Sequence, residues 1–202
     1  SGSDLEIPLR RGRMTRSWQN YWMGACPTLK TERLTLRPFR DDDLADYFAM
    51  ENSPEVREGL LTPDDFGQPD ASYKMAAWLG QWELRGTGHW AVEEKETGQF
   101  VGSVGLNQSE VTPLDWPGVE VGWTLHPNHW GCGYATEAGA AAVKYGFDKL
   151  GESRLFSCIV ADNSRSQAVA QRLGFELIME KTMSLLPTQP AQTHQIWALD
   201  AN

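Results

Sequence analysis

Seven short apolar or alternating stretches of this chain read as strands, and helical spacing appears between several of them. Lys30 to Pro38 sets Leu34 and Leu36 against Arg33, Thr35 and Arg37, which predicts a strand. Asp41, Asp42 and Asp43 offer capping oxygens and favourable charge to a helix carrying Leu44, Tyr47 and Phe48. Ser53 and Pro54 begin a second, short helix, and Leu60 to Pro69 is turn-rich. Asp70 or Ser72 opens a third helix, whose stripe of Met75, Trp78, Leu79 and Trp82 runs to Arg85 and is ended by Gly86. The loop between the first helices is placed to cover a substrate. His89 to Glu93 and Phe100 to Leu106 read as a hairpin turning at Glu96-Thr97-Gly98.

A polar loop from Asn107 to Gly118, with Pro113 and Pro117, leads to a strand over Val119 to Leu125. That strand stops at His126-Pro127, because proline cannot donate to a sheet ladder. A helix presenting Ala140, Val143, Phe147 and Leu150 on one face ends at Gly151. Arg154 to Val160 is apolar enough to be a central strand. Asp162 to Gly174 forms a short helix capped by Asn163 or Ser164. Phe175 to Met179 and Thr193 to Leu199 finish as strands, with Pro187 and Pro190 in the loop between them.

The run Trp130-Gly131-Cys132-Gly133-Tyr134-Ala135 joins the Val119 strand to the helix that follows. Two glycines let the backbone turn tightly and bring its N–H groups against a ligand, and the helix start adds unpaired amides and a positive dipole end. Strand, glycine loop and helix start together make an anion cradle. Gly133 is followed by Tyr134-Ala135, so the Gly-Lys-Ser/Thr ending of a nucleotide-hydrolase loop is missing. Thr136 stands where a dinucleotide fingerprint needs its third glycine.

Composition narrows the class. The 202 residues fit one domain, with residues 29–202 as that domain and 1–28 as an N-terminal arm. Ser1-Gly2-Ser3 resembles a remnant of cloning. In the arm, Arg10, Arg11, Arg13 and Arg16 precede Trp18, Tyr21 and Trp22, aromatics spaced to share a helical face. The arm would pack on its own domain or on a dimer mate, or dock a peptide or ribosome. A net charge of -9 argues against a nucleic-acid partner and is compatible with a cationic substrate. No membrane span or signal-peptide core is visible, and Cys26, Cys132 and Cys158 form no C-x-x-C pair. A soluble, cytoplasmic protein with free thiols and no metal is expected.

Four motifs in order now define a resemblance: T-E-R-L-T-L-R-P at Thr31 to Pro38, W-G-C-G-Y-A-T-E-A at Trp130 to Ala138, A-D-N-S-R-S at Ala161 to Ser166, and R-L-G-F at Arg172 to Phe175. The chain resembles GNAT-type N-acetyltransferases, most closely the ribosomal-protein serine/alanine N-terminal acetyltransferases. The resemblance implies a single α/β domain, a mixed twisted sheet of about seven strands splayed at its centre, with helices on both faces. It implies acetyl-CoA as co-substrate in the wedge between the Val119 and Arg154 strands. The diphosphate would sit on Trp130, Gly131, Cys132, Gly133, Tyr134, Ala135 and Thr136. The pantetheine arm would pair along Trp123, Thr124 and Leu125 like an added strand, with Asn163 contributing its amide. Two departures stand out. Trp130 replaces a common Gln or Arg, which predicts weaker charge assistance, and Ala170 replaces a common Tyr.

The implied reaction is attack of an amine on a thioester. It needs a neutral amine, donors for the oxyanion and a proton for the thiolate. Glu120, on the cradle strand, is the candidate base, acting through water. Main-chain amides near Trp123 to Leu125 would serve the oxyanion. Without a Tyr at 170, Ser166 or water supplies the proton. Cys132 reads as a bystander, and of the four histidines only His129 flanks the loop. The acceptor reads as a protein or peptide N-terminal α-amine; an antibiotic or polyamine is the alternative, as is a CoA-binding module that has lost catalysis.

Overall fold

A computed structural model describes residues 26–60, 62–108, 118–184 and 191–201. Residues 1–25 of the N-terminal arm and the prolines at 113, 117, 187 and 190 lie outside the described residues. The chain runs β1 (Leu29–Lys30), β2 (Leu34–Arg37), α1 (Leu44–Glu51), α2 (Pro54–Leu60), α3 (Gln68–Arg85), β3 (Gly88–Glu94), β4 (Phe100–Gln108), β5 (Val119–Leu125), α4 (Tyr134–Asp148), β6 (Arg154–Val160), α5 (Ser164–Arg172), β7 (Glu176–Met183) and β8 (Gln192–Asp200). The strands form one sheet of eight in the order β1-β2-β3-β4-β5-β6-β8-β7.

The expected strand from Lys30 to Pro38 is broken. Thr31 N–H donates to Leu34 O, and Thr31 Oγ1 accepts from Leu34 N–H at 3.0 Å. This tight turn folds β1 back on β2, pairing Leu29 with Leu36 and Lys30 with Thr35. Arg33 therefore sits at a turn instead of on a strand face. The short β1 raises the sheet from about seven strands to eight.

Helices cover both faces. α4 packs Ala138, Ala142 and Tyr134 against Val119, Val121, Leu125 and Leu155. α1, α2 and α3 pack Tyr47, Met50, Val56 and Met75 against Phe39, Ala91 and Phe100 on the other face. The buried stripe of α4 is not the bulky one expected. Ala140 is exposed, and Gly139 and Gly146 are buried with the alanines. A Cβ on Gly139 would lie 2.9 Å from Leu173, and one on Gly146 would lie 3.0 Å from Leu155. Small residues thus let the helix lie close on its neighbours, while Val143, Phe147 and Leu150 flank the contact.

α3 starts earlier than the sequence suggests. Gly67 is its cap, and Asp70 sits inside the first turn, where its carboxylate accepts the Gly67 N–H at 2.8 Å. Asp43 caps the Arg40 N–H at 2.7 Å, as expected of an acidic residue there, and does more. It forms a bidentate pair with buried Arg37 (2.7 Å at both contacts), which Glu93 joins at 2.8 Å.

The topology decides where a ligand can enter. β4 and β5 pair along seven positions, yet the parallel β5–β6 ladder holds only Val119 with Leu155 and Glu120 with Phe156. From Val121 onward the two strands part. The sheet is therefore two half-sheets joined at a fork, one of β1 to β5 and one of β6, β8 and β7.

Candidate functional site

Glu120 stands at the fork. It is partly buried, and its carboxylate accepts a hydrogen bond from the Cys158 main-chain amide. Burial pushes its pKa from the ordinary carboxyl value of 4.5 up to about 7, against the opposing pull of that amide. The loss of β6 as a neighbour beyond Glu120 leaves the outer edge of β5 open as far as Thr124, after which the Trp130 indole takes the Leu125 carbonyl.

The cradle is built as the glycines require. Gly131 and Gly133 adopt left-handed φ angles of 78° and 81°, a region that Cβ-bearing residues enter at a cost. Gly133 is the N-cap of α4. Among the described residues, no protein acceptor takes the main-chain N–H groups of Gly131 to Thr136; the first internal bond of the helix comes from Glu137 to Gly133 O. A Cβ on Gly131 would touch nothing within 4 Å, so the turn is open at that point. Free amides, a clear approach and the helix dipole suit a diphosphate.

A cavity of about 1480 Å³ joins the fork to the cradle. That exceeds the ~300–1,000 Å³ of ordinary small-ligand sites and leaves room for two substrates together. Glu120, Trp123, Thr124, Leu125, Trp130, Gly131, Gly133, Tyr134, Ala135, Thr136, Asn163 and Ser166 all line it. Cys132 does not; its thiol is exposed outside the cavity and its carbonyl accepts from Arg33 at 2.9 Å. Asn163 Oδ1 caps α5 by accepting the Ser166 N–H at 3.1 Å. A Cβ on Gly59 would lie 3.0 Å from Asn163 Nδ2, so α2 crosses the cavity close to the start of α5.

Several residues at the site were illegible in the sequence. Arg33, carried in by the unforeseen turn, bonds Glu137 through Nε at 2.7 Å and lies over the Tyr134 ring at 4.6 Å. Its Nη2 would be 3.5 Å from a Cβ on Gly133. Arg165, on the first turn of α5, lies over the Trp130 ring at 4.7 Å, and the Trp130 indole N–H donates to Leu125 O at 2.8 Å. The cationic charge absent from position 130 is thus brought to the cradle by two other elements. On the helical side, Lys74 pairs with buried Glu51 at 2.9 Å, and Trp78 stacks on His89 with centroids 4.2 Å apart. Glu55 and Glu58 of α2 also line the cavity, so its helical wall is acidic.

A family model described as an acetyltransferase (GNAT) domain matches residues 33–176. The chain belongs to the GNAT acetyltransferases. The GNAT chain is 32% identical to the uncharacterized N-acetyltransferase YoaA of Bacillus subtilis over 74% of its own length and 83% of that protein. The crystal structure of an acetyltransferase from Agrobacterium tumefaciens superposes with a TM-score of 0.72 at 30% identity, covering 88% of this chain and 96% of that one. A spermidine N-acetyltransferase from Vibrio cholerae, solved with CoA and spermine, shares the fold at 15% identity with a TM-score of 0.67, over 83% and 95% of the two chains. This GNAT protein is an acetyl-CoA-dependent acyltransferase that moves an acetyl group to an amine. Among the described residues, no cluster of His, Cys, Asp or Glu could hold a metal ion, and no helix is long and apolar enough to cross a membrane.

Proposed function

We propose that the acceptor is a protein or peptide N-terminal α-amine and that Glu120 is the base that receives its proton. The observation that carries this reading is Glu120 at the fork with its pKa raised to about 7. Moving a proton to such a group from an α-ammonium of pKa about 7.7–8.0 costs about 1 kcal/mol, whereas a lysine near 10.4 costs about 4–5 kcal/mol. The base is matched to an α-amine.

Acetyl-CoA, when bound, supplies the activated acetyl group. The free amides from Gly131 to Thr136 hold its diphosphate, with Arg33 and Arg165 adding positive charge. The open edge at Trp123 and Thr124, with the Leu125 N–H beyond them, receives the pantetheine arm as a strand would. Asn163 Nδ2, left over from capping, faces the same space. Ser166, in the first turn of α5, lines the cavity, and its hydroxyl is the side-chain candidate to protonate the departing thiolate.

Glu55 and Glu58, beside the Lys74–Glu51 pair, keep this wall acidic and support a second reading, a small polyamine. One experiment separates the two. Thiol release from acetyl-CoA is followed with peptides beginning in serine or alanine and with spermidine, and products are located by mass spectrometry. Acetylation of the peptide α-amine is the expected result; turnover confined to spermidine would replace the peptide reading.

A further inference from the structure

One buried polar atom, carried by a side chain that lines the cavity, has no part in that scheme. Asn107 and Glu120 are direct partners across β4 and β5, and the next pair along the same face is Gly105 with Gly122. Side chains so placed stand about 4.5–5.5 Å apart at Cβ. Both residues line the cavity.

The Asn107 amide is oriented by a chain of hydrogen bonds. Its Nδ2 donates to His89 Nε2 at 3.4 Å, and His89 Nδ1 lies 2.8 Å from Ser103 Oγ. Since Nε2 accepts, the ring proton is on Nδ1 and is donated to Ser103. Burial, with Lys74 nearby, keeps the imidazole neutral, its pKa pushed down to about 3. Trp78 holds the ring by stacking, and Gly105 makes room for it, since a Cβ there would lie 2.4 Å from His89. With the amide nitrogen committed to the imidazole, Asn107 Oδ1 is buried with no hydrogen-bond partner among the described residues. Buried acceptors are nearly always satisfied, so a donor from a ligand belongs there.

We propose that Asn107 Oδ1 is the second anchor of the acceptor, taking one N–H of a primary amine whose other N–H leads to Glu120. The inference rests on the acetyl-transfer reading above and deepens it. A neutral primary amine offers one lone pair and two N–H groups. The lone pair forms the new C–N bond as the C–S bond of the thioester breaks. Glu120 first passes the ammonium proton on to solvent; as a carboxylate again it takes one N–H proton, and the thiolate takes up a proton from Ser166 or water. The remaining N–H stays on nitrogen and is held by Asn107. A secondary amine has a single N–H, which Glu120 must take, and its extra substituent meets the Asn107 amide instead. Asn107 therefore selects primary over secondary amines.

The test compares an alanine-led tripeptide with its N-methyl counterpart, in wild-type protein and in Asn107→Leu. Loss of the hydrogen bond lowers kcat/KM for the primary amine roughly tenfold. The N-methyl peptide changes little, so the discrimination ratio collapses while CoA affinity is retained. Equal losses on both peptides, or no loss on either, would overturn the proposal. A second measurement needs neither the variant nor turnover: CoA-loaded, 15N-labelled wild-type protein is titrated at about pH 8.5, where α-amines are mostly neutral, with alanine amide and with N-methylalanine amide. The Asn107 side-chain NH2 signals move with the first and not with the second; signals unmoved by both would also refute it. Absence of thiol release with every amine would instead count against the transfer reading, leaving the NMR result to decide on Asn107.

Discussion

Replacing Glu120 by glutamine should slow the enzyme and strengthen the fold. The carboxyl has a pKa of about 7 in the folded protein against an ordinary 4.5. A raised carboxyl favours folding fully below pH 4.5, and that contribution is lost as pH rises through 7, because the native state then holds a charge that the unfolded chain solvates better. The gap is worth about 3 kcal/mol above pH 7. Glutamine keeps the shape and can still accept from the Cys158 amide, yet carries no charge. Calorimetric melting at pH 8 should rise by roughly 6–12 °C, taking about 2–4 °C per kcal/mol for a chain of this size, and should be unchanged near pH 4. Turnover should fall by about 10²–10⁴, the ordinary worth of a positioned base. In the wild type, kcat/KM should climb as pH passes through about 7 and Glu120 ionises. A Glu120→Gln enzyme with unaltered rate, or one melting below wild type at pH 8, would refute the reasoning.

Other perturbations test other parts of the molecule. Gly133→Ala forces a Cβ into a left-handed conformation at φ 81°, at a cost of about 1–2 kcal/mol, and brings it against Arg33, so calorimetry should show weakened CoA binding. Arg37→Met strands the buried Asp43 carboxylate without its partner, and the urea midpoint should report a loss of about 3–5 kcal/mol. Arg165→Ala should weaken CoA several-fold and flatten the salt dependence of binding, whereas Arg165→Lys should restore the salt slope. Alkylation of the exposed Cys132 thiol, confirmed by mass spectrometry, should leave turnover nearly intact, since that side chain lies outside the cavity.

The sequence made most of the fold readable because its signals are local. Glycine and proline punctuated the elements, and Val119 to Leu125 followed by Gly131 and Gly133 announced a cradle. Glu120 could be placed on that strand from alternation alone. Its raised pKa could not, since it arises from the parting of β5 and β6, a property of two distant strands. Arg33 was misplaced because alternation from Lys30 to Pro38 imitates one continuous strand, while the turn that breaks it depends on the Thr31 hydroxyl and on pairing with Leu36. Arg165 and Trp130 are far apart in the chain, and their stacking has no sequence signature. Asn107 was legible only as the start of a loop, because its significance comes from its partner across the sheet and from where His89 points. The α4 stripe failed for a similar reason. Bulk suggested Val143 and Phe147, but close approach to Leu155 and Leu173 favours glycine and alanine on the inner side.

The parting of β5 from β6 carries a liability for handling this protein. Beyond Glu120, β5 keeps hydrogen-bonding groups facing empty space in the middle of the sheet, as an outer strand does at a rim. Bare rims invite other chains to add on, the first step toward aggregation. A guest lying along β5 removes that invitation and, by mass action, also draws the population toward the native state. The ligand-free preparation is therefore the one expected to cloud on warming or storage, and millimolar CoA in the buffer should keep it clear.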